Sequence, residues 1–176
     1  YIRARERGLD RAQSFWYSAL LSTLYEYGVE ALFEPVSIQD LVVTPVVVAG
    51  DPPRFARQSR EGHTVGLWIT DQNTGGTAAF VPGCGALDPP LRERLAAADV
   101  VLFDGTFWTD DEMVSLGLSD RTARQMDHLP ISGPGGSLEA LADLPSRHRV
   151  YTHINNSNPM LLEDSPERRA VEDAGL

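Results

Sequence analysis

The run from Glu61 to His153 constrains the fold most, because it predicts strands and helices that alternate in the manner of an α/β layer. It predicts a strand, a hairpin, a second strand, a helix, a third strand, a helix, a glycine-rich turn and a last strand. Each strand carries or ends on one reactive side chain, and these are His63, Cys84, Asp104 and His153. A fifth, His128, precedes the last strand. Because α/β folds collect polar side chains where strands end, the run predicts half of a metal-centred active site.

The hydrophobic pattern also predicts where each element lies. Strands are predicted at Leu32–Glu34, Leu41–Val48, Thr64–Thr70, Thr77–Val81, Val100–Phe103 and His148–His153. Helices are predicted at residues 9–28, from the N-cap Asp88 to Ala98, after the N-cap Thr109, from Ser137 to near Leu144, and from Ser165 onward. Glu112, three residues after Thr109, predicts a capping box. Pro45 lacks an amide hydrogen, so it predicts an edge strand or a bulge.

Charge and cysteine content narrow the class of protein. The 176 residues carry a formal net charge of −10, which argues against nucleic-acid binding because that function needs a basic face. The single cysteine excludes an internal disulfide and favours a reducing cytoplasm. No apolar run reaches membrane-spanning length and no signal peptide is recognisable, so no membrane partner is expected. We therefore expect a cytoplasmic protein in which residues 1–176 form one domain.

Each reactive side chain has a structural reading beside the chemical one. His63 has glycine nearby on both sides, which leaves room for a ligand, but it also fits a surface loop. Cys84 is either a buried structural thiol or a metal-binding thiolate. Asp104 caps a turn, or it serves as a ligand or base. His128 has Asp127 beside it, although adjacent side chains often point apart.

His153 is the strongest single candidate. It ends an apolar strand and opens the segment 155–158, in which Asn, Asn, Ser and Asn follow one another. Amides at this density satisfy backbone turns, and they also orient a ligating histidine or a polar substrate.

The order of these motifs resembles the C-terminal half of the metallo-β-lactamase fold, an αββα sandwich. By that resemblance His63 and His153 correspond to two of the family's metal-binding histidines, and Cys84 stands where the bridging acid usually lies. Asp104 and His128 resemble the acid–histidine pair that ribonuclease Z-type members use for proton transfer.

A narrower resemblance is to the B proteins of pyrroloquinoline quinone (PQQ) biosynthesis. The segments that carry it are PGC (82–84), FDGTFWTDDEM (103–113), HLPISGPGGSL (128–138) and THINNSNPMLLEDSPER (152–168). The resemblance implies a non-heme, iron-dependent oxygenase that hydroxylates the tyrosine ring of a cross-linked Glu-Tyr precursor. The family's upstream HxHxDH and CxCxxC motifs are absent, so we expect either an incomplete chain or a reshaped relative.

Three hypotheses follow from the resemblance. In the first, an oxygenase binds iron(II), with zinc as the alternative metal, through His63, His153 and Cys84. Asp104 and His128 are then catalytic, Asn155, Asn156 and Ser132 bind an amino-acid-derived small molecule, and O2 is the second substrate. The second is a metal-dependent hydrolase, against which the thiol of Cys84 argues because it bridges two hard metals poorly. The third is a carrier of PQQ or its precursor, with Arg121, Arg124 and Arg149 pairing carboxylates. A homo-oligomer is compatible with each.

Overall fold

The computed structural model describes residues 35–52 and 62–176, and these ranges are the basis of every structural statement below. The predicted helix at 9–28 and the predicted strand Leu32–Glu34 lie outside the described residues. Within the described ranges, no helix has the length and apolar character needed to cross a bilayer.

One six-stranded sheet, in the spatial order β1-β2-β3-β4-β5-β6, organises the described residues. The strands are β1 (Val36–Ile38), β2 (Leu41–Val47), β3 (Val65–Asp71), β4 (Thr77–Val81), β5 (Val100–Asp104) and β6 (His148–Thr152). The first four pair antiparallel, with short turns between β1 and β2 and between β3 and β4, whereas β4, β5 and β6 are parallel. Parallel strands need crossover connections, and the helices after β4 and β5 supply them. The ends of β4, β5 and β6 therefore lie side by side at one edge.

The predicted strand positions within the described residues are confirmed to within one or two residues, and Pro45 explains a detail of β2. The partner strand β1 covers only Leu41 to Val43 of β2, so Pro45 pairs with Leu67 of β3 on one side alone. On its other side no described strand requires a donor. A proline without an amide hydrogen fits this edge position, as predicted.

Four α-helices lie in the described ranges: α1 (Pro89–Ala96), α2 (Glu112–Ser115), α3 (Ser137–Ala142) and α4 (Pro166–Asp173). The caps of α1 and α4 are confirmed, because Asp88 Oδ1 accepts from the Leu91 amide at 2.8 Å and Ser165 Oγ accepts from the Arg168 amide at 3.0 Å.

The predicted cap of α2 is wrong. The helix starts at Glu112, and its N-cap residue Asp111 makes no side-chain capping bond. The Glu112 carboxylate is buried and accepts from the Trp108 amide at 2.6 Å instead of completing a capping box with Thr109. The spacing of residues along the sequence could not show whether the Glu112 carboxylate would accept from Trp108 or from Thr109.

The core lies on one face of the sheet and holds its strand ends in place. Alternate residues of β4, β5 and β6 are buried there, because side chains one apart on a strand point to opposite faces. They join helical side chains in one cluster that includes Val81, Val101, Phe103, Tyr151, Leu91, Leu95 and Leu141. Phe103 is completely buried and directly precedes Asp104, so core packing fixes the position of that carboxylate.

We expect Phe103→Ala to lower the free energy of unfolding by about 3–5 kcal/mol, because it leaves a cavity where a fully buried ring was. Urea unfolding followed by circular dichroism measures the change. Leu162→Ala is the control, since Leu162 is 66% exposed and its truncation should cost less than about 0.5 kcal/mol. Similar losses in the two variants would contradict this placement of the core.

Candidate metal centre

Three segments bring Asp104, His128 and His153 together. Strands β5 and β6 are parallel with Asp104 opposite Thr152, so the residue after Thr152, His153, leaves the sheet beside Asp104. His128 arrives from the loop after α2, where its amide donates to Ala123 O at 3.0 Å. The next amide, of Leu129, donates to Cys84 O at 2.7 Å and ties this loop to the end of β4.

One potential ligand atom from each of these three side chains lies within 4.8 Å of the other two. His128 Nδ1 is 2.7 Å from Asp104 Oδ2, and His153 Nδ1 is 3.9 Å from Asp104 Oδ1. The two imidazole rings stack, with centroids 5.5 Å apart and planes inclined by 22°. Within residues 35–52 and 62–176, no other group of at least three histidine, cysteine or acidic side chains is gathered this closely.

The Asp104 carboxylate is completely buried, and its acceptor sites are filled by protein donors. Oδ1 accepts from the Thr106 amide at 3.1 Å and from Thr106 Oγ1 at 2.6 Å. Oδ2 accepts from the Cys84 amide at 3.2 Å and from His128 Nδ1 at 2.7 Å. Two carboxylate oxygens offer about four lone-pair sites, so these four bonds leave Asp104 as an orienting group rather than a ready ligand.

The same bonds determine the tautomers of both histidines. A carboxylate has no hydrogen to donate, so His128 Nδ1 carries the hydrogen that joins it to Asp104. Thr106 has one hydroxyl hydrogen, and its short contact to Asp104 uses it. Thr106 Oγ1 therefore accepts from His153 Nδ1, which is 2.8 Å away. Both rings then keep an unprotonated Nε2, the form of imidazole that binds a divalent metal.

The two histidines differ in their access to solvent. The His153 side chain is 55% exposed and that of His128 is 18% exposed. The edge of the Phe107 ring packs against His128, with centroids 5.6 Å apart. His153 therefore forms the open side of the group, and His128 forms the enclosed side.

The backbone of His153 is held in an uncommon conformation, with φ at +55°. Side chains other than glycine disfavour this region, so surrounding bonds must hold it there. Thr106 Oγ1 accepts from His153 Nδ1 at 2.8 Å, and the Asn155 amide donates to Thr106 O at 3.1 Å. The Gly105 amide donates to Thr152 O at 2.8 Å, at a position where a Cβ would lie 2.8 Å from Tyr151 Cβ. Glycine thus lets the two loops approach.

The amide-rich segment after His153 mainly joins these loops. Asn158 is buried, its side-chain amide donates to Gly105 O at 3.0 Å, and its Oδ1 accepts from the Met160 amide at 3.1 Å. The Asn155 amide group donates to Ser157 Oγ, which in turn donates to Glu112 Oε1 at 2.6 Å. The segment therefore supports His153 through a bonded network that ends on a buried carboxylate.

The three residues predicted to bind substrate occupy different surroundings. Asn155 belongs to the network with Ser157, and Ser132 Oγ donates to Trp108 O at 2.9 Å. Asn156 is exposed. Their role in substrate binding stays a prediction.

His63 and Cys84 are not part of the group of three. His63 is half-buried in the bend before β3. Cys84 is fully buried, its Sγ donates to Ala86 O at 3.1 Å, and burial raises the pKa of the thiol to about 12. Its amide, rather than its sulfur, contacts Asp104. Metal binding by His63 and Cys84 stays a prediction.

Thr106 and Glu112 were not recognised as site residues from sequence. Thr106 follows Asp104 by two positions, a spacing that allows both its amide and its hydroxyl to bind one carboxylate. That spacing was a usable signal. Nothing local indicated that Glu112 would meet Ser157, which lies 45 residues along the chain.

Comparison with known proteins identifies related chains. Residues 29–154 match the model of the beta-lactamase superfamily domain, and residues 1–52 match a domain of unknown function, DUF3943. Coenzyme PQQ synthesis protein B of Gluconacetobacter diazotrophicus is 46% identical over 142 residues, covering 77% of this chain and 46% of the relative. The protein of the same name from Cupriavidus taiwanensis is 50% identical over 125 residues, covering 71% and 40%. The chain thus spans about half the length of the curated relatives it matches.

Solved structures give the same fold. Zn²⁺-bound PqqB from Methylobacterium extorquens has a TM-score of 0.69 and 38% identity, covering 81% of this chain and 46% of that chain. The metallo-beta-lactamase fold protein YhfI from Bacillus subtilis has a TM-score of 0.50 and 10% identity, covering 80% and 46%. The second similarity concerns the fold alone. The predicted metallo-β-lactamase fold is confirmed.

We expect Thr106→Val to change the tautomer of His153, because the substitution keeps the side-chain shape but removes the acceptor for Nδ1–H. The ¹⁵N NMR shifts of the ring nitrogens report the tautomer. Asp104 also loses a donor, so the free energy of unfolding should fall by about 1–3 kcal/mol. Thr106→Ser retains the hydroxyl and should behave like the original protein. An unchanged His153 tautomer in Thr106→Val would contradict the bonding scheme.

We expect the Cys84 thiol to react very slowly with a disulfide reagent in the folded protein near about pH 8, because the attacking species is the thiolate. Because the pKa of the thiol is about 12, little thiolate forms at this pH, and complete burial keeps the reagent away from the sulfur. Since Cys84 is the single cysteine, the absorbance of the released thiolate reports it alone. The rate should rise once urea unfolds the chain, and fast labelling of the folded protein would show that the thiol is accessible.

Proposed function

We propose that this chain, which belongs to the beta-lactamase superfamily and is a homologue of the coenzyme PQQ synthesis B proteins, forms part of a metal-dependent enzyme of PQQ biosynthesis. The observation that carries the proposal is the pair of stacked imidazoles whose Nδ1 atoms are engaged by Asp104 and Thr106. In the neutral form of each ring Nε2 is then free to ligate, and the two rings are proposed to share one divalent metal. The reaction proposed is the hydroxylation of the tyrosine ring of a cross-linked Glu-Tyr precursor.

The described residues fit a metal in a specific way. His128 and His153 each offer one Nε2, because Asp104 holds His128 and Thr106 holds His153 in the ligating tautomer, and Asp104 offers no free lone pair itself. His63 and Cys84, which the family resemblance adds, are proposed as further ligands. Iron(II) is the proposed metal, and the chemistry it would supply is the activation of O2 for hydroxylation.

Asp104 and His128 also form a pair suited to moving a proton. The carboxylate holds the ring through Nδ1 and stabilises a positive charge on it, so Nε2 of His128 can accept a proton from a phenol and return it. Because Asp104 is completely buried and bonded by four donors, it stays in place while the ring changes charge. The two proposed uses of His128, ligand and base, both need the lone pair of Nε2, so they are alternatives.

A cavity near this group provides a surface for the substrate ring. It has a volume of about 300 Å³, and its lining includes Trp108, Leu116, Pro159, Ser157 and Glu112. Trp108 follows Thr106 by two residues, and Ser157 follows His153 by four. These lining residues therefore lie on the loops that also carry Thr106 and His153. An aromatic ring suits an apolar wall with a few polar atoms. Asn155, Asn156 and Ser132 are proposed to contact the polar parts of an amino-acid-derived substrate.

A metal-dependent hydrolase is the second candidate. It is favoured by the Zn²⁺ bound to the Methylobacterium extorquens relative, since zinc has no redox chemistry of its own. The two candidates differ in the metal they require, and this difference can be measured directly.

We expect protein purified without oxygen to hold about one equivalent of iron, and His153→Ala and His128→Ala each to lower iron affinity by at least about tenfold. Elemental analysis and anaerobic titration measure content and affinity. His148→Ala is the matched control, because His148 is exposed at the start of β6 and lies outside the group of three.

Each other result changes the assignment. Two zinc ions per chain with hydrolytic activity would favour the hydrolase. If no variant holds metal and binding of PQQ or its precursor is retained, the protein would be assigned as a carrier instead of an enzyme. Equal loss of iron in His148→Ala would show that the histidines of the group have no special role.

A further inference from the structure

We propose that the glycine-rich turn at residues 133–136 helps to form a binding site for a small oxyanion with an apolar body. The site is a cavity of about 330 Å³, lined by two arginines, Arg92 and Arg124, and by apolar and glycine residues. It shares no lining residue with the group of Asp104, His128 and His153. The inference does not rest on the metal proposal.

The charge of the cavity wall is opposite to that of the chain. The chain has a formal net charge of −10, but no acidic residue in the described ranges lines this cavity. The apolar part of the wall includes Leu87, Leu129 and Ala140. Both arginines are exposed, so the cavity offers an anion two positive charges beside an apolar wall that suits the apolar body of the ligand.

Arg124 is held in position for such a ligand. Its Nη2 donates to Pro134 O at 3.2 Å and to Gly135 O at 3.3 Å, and its backbone amide donates to Asp110 Oδ1 at 2.9 Å. These bonds use one nitrogen of the guanidinium and leave Nη1 and Nε for a ligand. A pre-positioned arginine loses less conformational entropy when it binds a carboxylate or phosphate.

Arg92 supplies the second charge and has no competing partner. It lies on the exposed side of α1, and within the described ranges no ion pair or side-chain hydrogen bond involves it. By contrast, Arg168 on α4 is paired with Glu172 at 2.7 Å. An uncompensated guanidinium at the rim of a cavity is available to an incoming anion.

The glycines allow the turn to lie close to the arginine. Gly135 has φ at +66°, and the Arg124 carbonyl contacts on this turn depend on that conformation. At Gly136 a Cβ would lie 2.6 Å from Ile131 O and 2.8 Å from Ser132 O. Gly135 and Gly136 thus allow a tight turn. Both residues line the cavity, so the turn forms part of its wall.

The cavity is joined to the candidate metal centre through the backbone. Leu129, which lines it, directly follows His128, and the Leu129 amide donates to Cys84 O. Ala86 and Leu87, which also line it, follow Cys84, whose amide donates to Asp104. An anion in this cavity would contact the two segments that carry the Asp104–His128 pair.

The test measures binding of three aromatic probes to metal-free protein: isophthalate, phenyl phosphate and the neutral benzyl alcohol. Calorimetry gives the affinity, and the ¹H–¹⁵N signals of Gly135 and Gly136 locate the site. We expect an anionic probe to bind and to shift these two signals, and Arg92→Ala to weaken its binding by at least about fivefold. Tighter binding of isophthalate or of phenyl phosphate identifies the carboxylate or the phosphate as the natural group.

Arg92→Ala is the decisive variant, because its side chain makes no hydrogen bond to any residue that the structure describes, and its loss should leave the fold intact. Arg124→Ala should weaken binding further, although it also releases the turn. Arg169→Ala is the control, since it removes the same charge from the exposed surface of α4 and should leave binding unchanged.

Three results would overturn the proposal. The first is equal affinity in Arg92→Ala and the original protein, and the second is equal weakening in Arg169→Ala. The third is the absence of anion-dependent shifts at Gly135 and Gly136 at about 10 mM probe, a concentration that detects even millimolar affinity. Because the probes bind without metal, none of these results bears on the metal proposal.

Discussion

The buried carboxylate of Asp104 is the constraint on which the rest of the site depends. An ionised group removed from water is strongly destabilising unless donors surround it. Here the donors come from three separate segments: the turn after β4 through Cys84, the loop after β5 through Thr106, and the loop before α3 through His128. Each segment must therefore adopt one conformation for the carboxylate to be tolerated. The fold positions the candidate metal centre because these bonds are mutually necessary.

A second buried carboxylate stabilises the outer side of the same edge. Glu112 accepts from the Trp108 amide and from Ser157 Oγ, so it joins the loop after β5 to the loop after β6. Asn158 crosses between the same two loops through Gly105 O. Together these bonds hold His153 in its left-handed conformation, which an isolated segment would rarely adopt. The motifs DGTFW and HINNSNP are therefore one structural unit, although they lie far apart in the chain.

Several features of this edge were predictable from local rules. The apolar run at Val100–Phe103 required a buried strand, and Asp104 at its end required either a cap or a chemical role. Asp104 does accept the Thr106 amide as a cap, and its chemical role stays a prediction. Pro45 and the caps Asp88 and Ser165 follow from backbone chemistry that needs no tertiary information. The predicted cap of α2 was wrong because it considered neighbouring residues alone. Glu112 accepts from the Trp108 amide and from the distant Ser157 Oγ instead of pairing with Thr109. Local rules fail where a buried side chain has partners from elsewhere in the chain.

What the sequence alone determined was the alternation of strands and helices, the strand ends on which Cys84, Asp104 and His153 would lie, and the resemblance to PQQ synthesis B proteins. These depend on periodicity and on short motifs, which are local properties. Only the tertiary structure decided how the side chains meet: His128 joins Asp104, Thr106 sets the tautomer of His153, and Cys84 contributes its amide while its sulfur faces Ala86. The physical reason is that a hydrogen bond requires the distance between two atoms on different segments to be correct to within a few tenths of an ångström. The spacing of residues along the chain does not encode that distance.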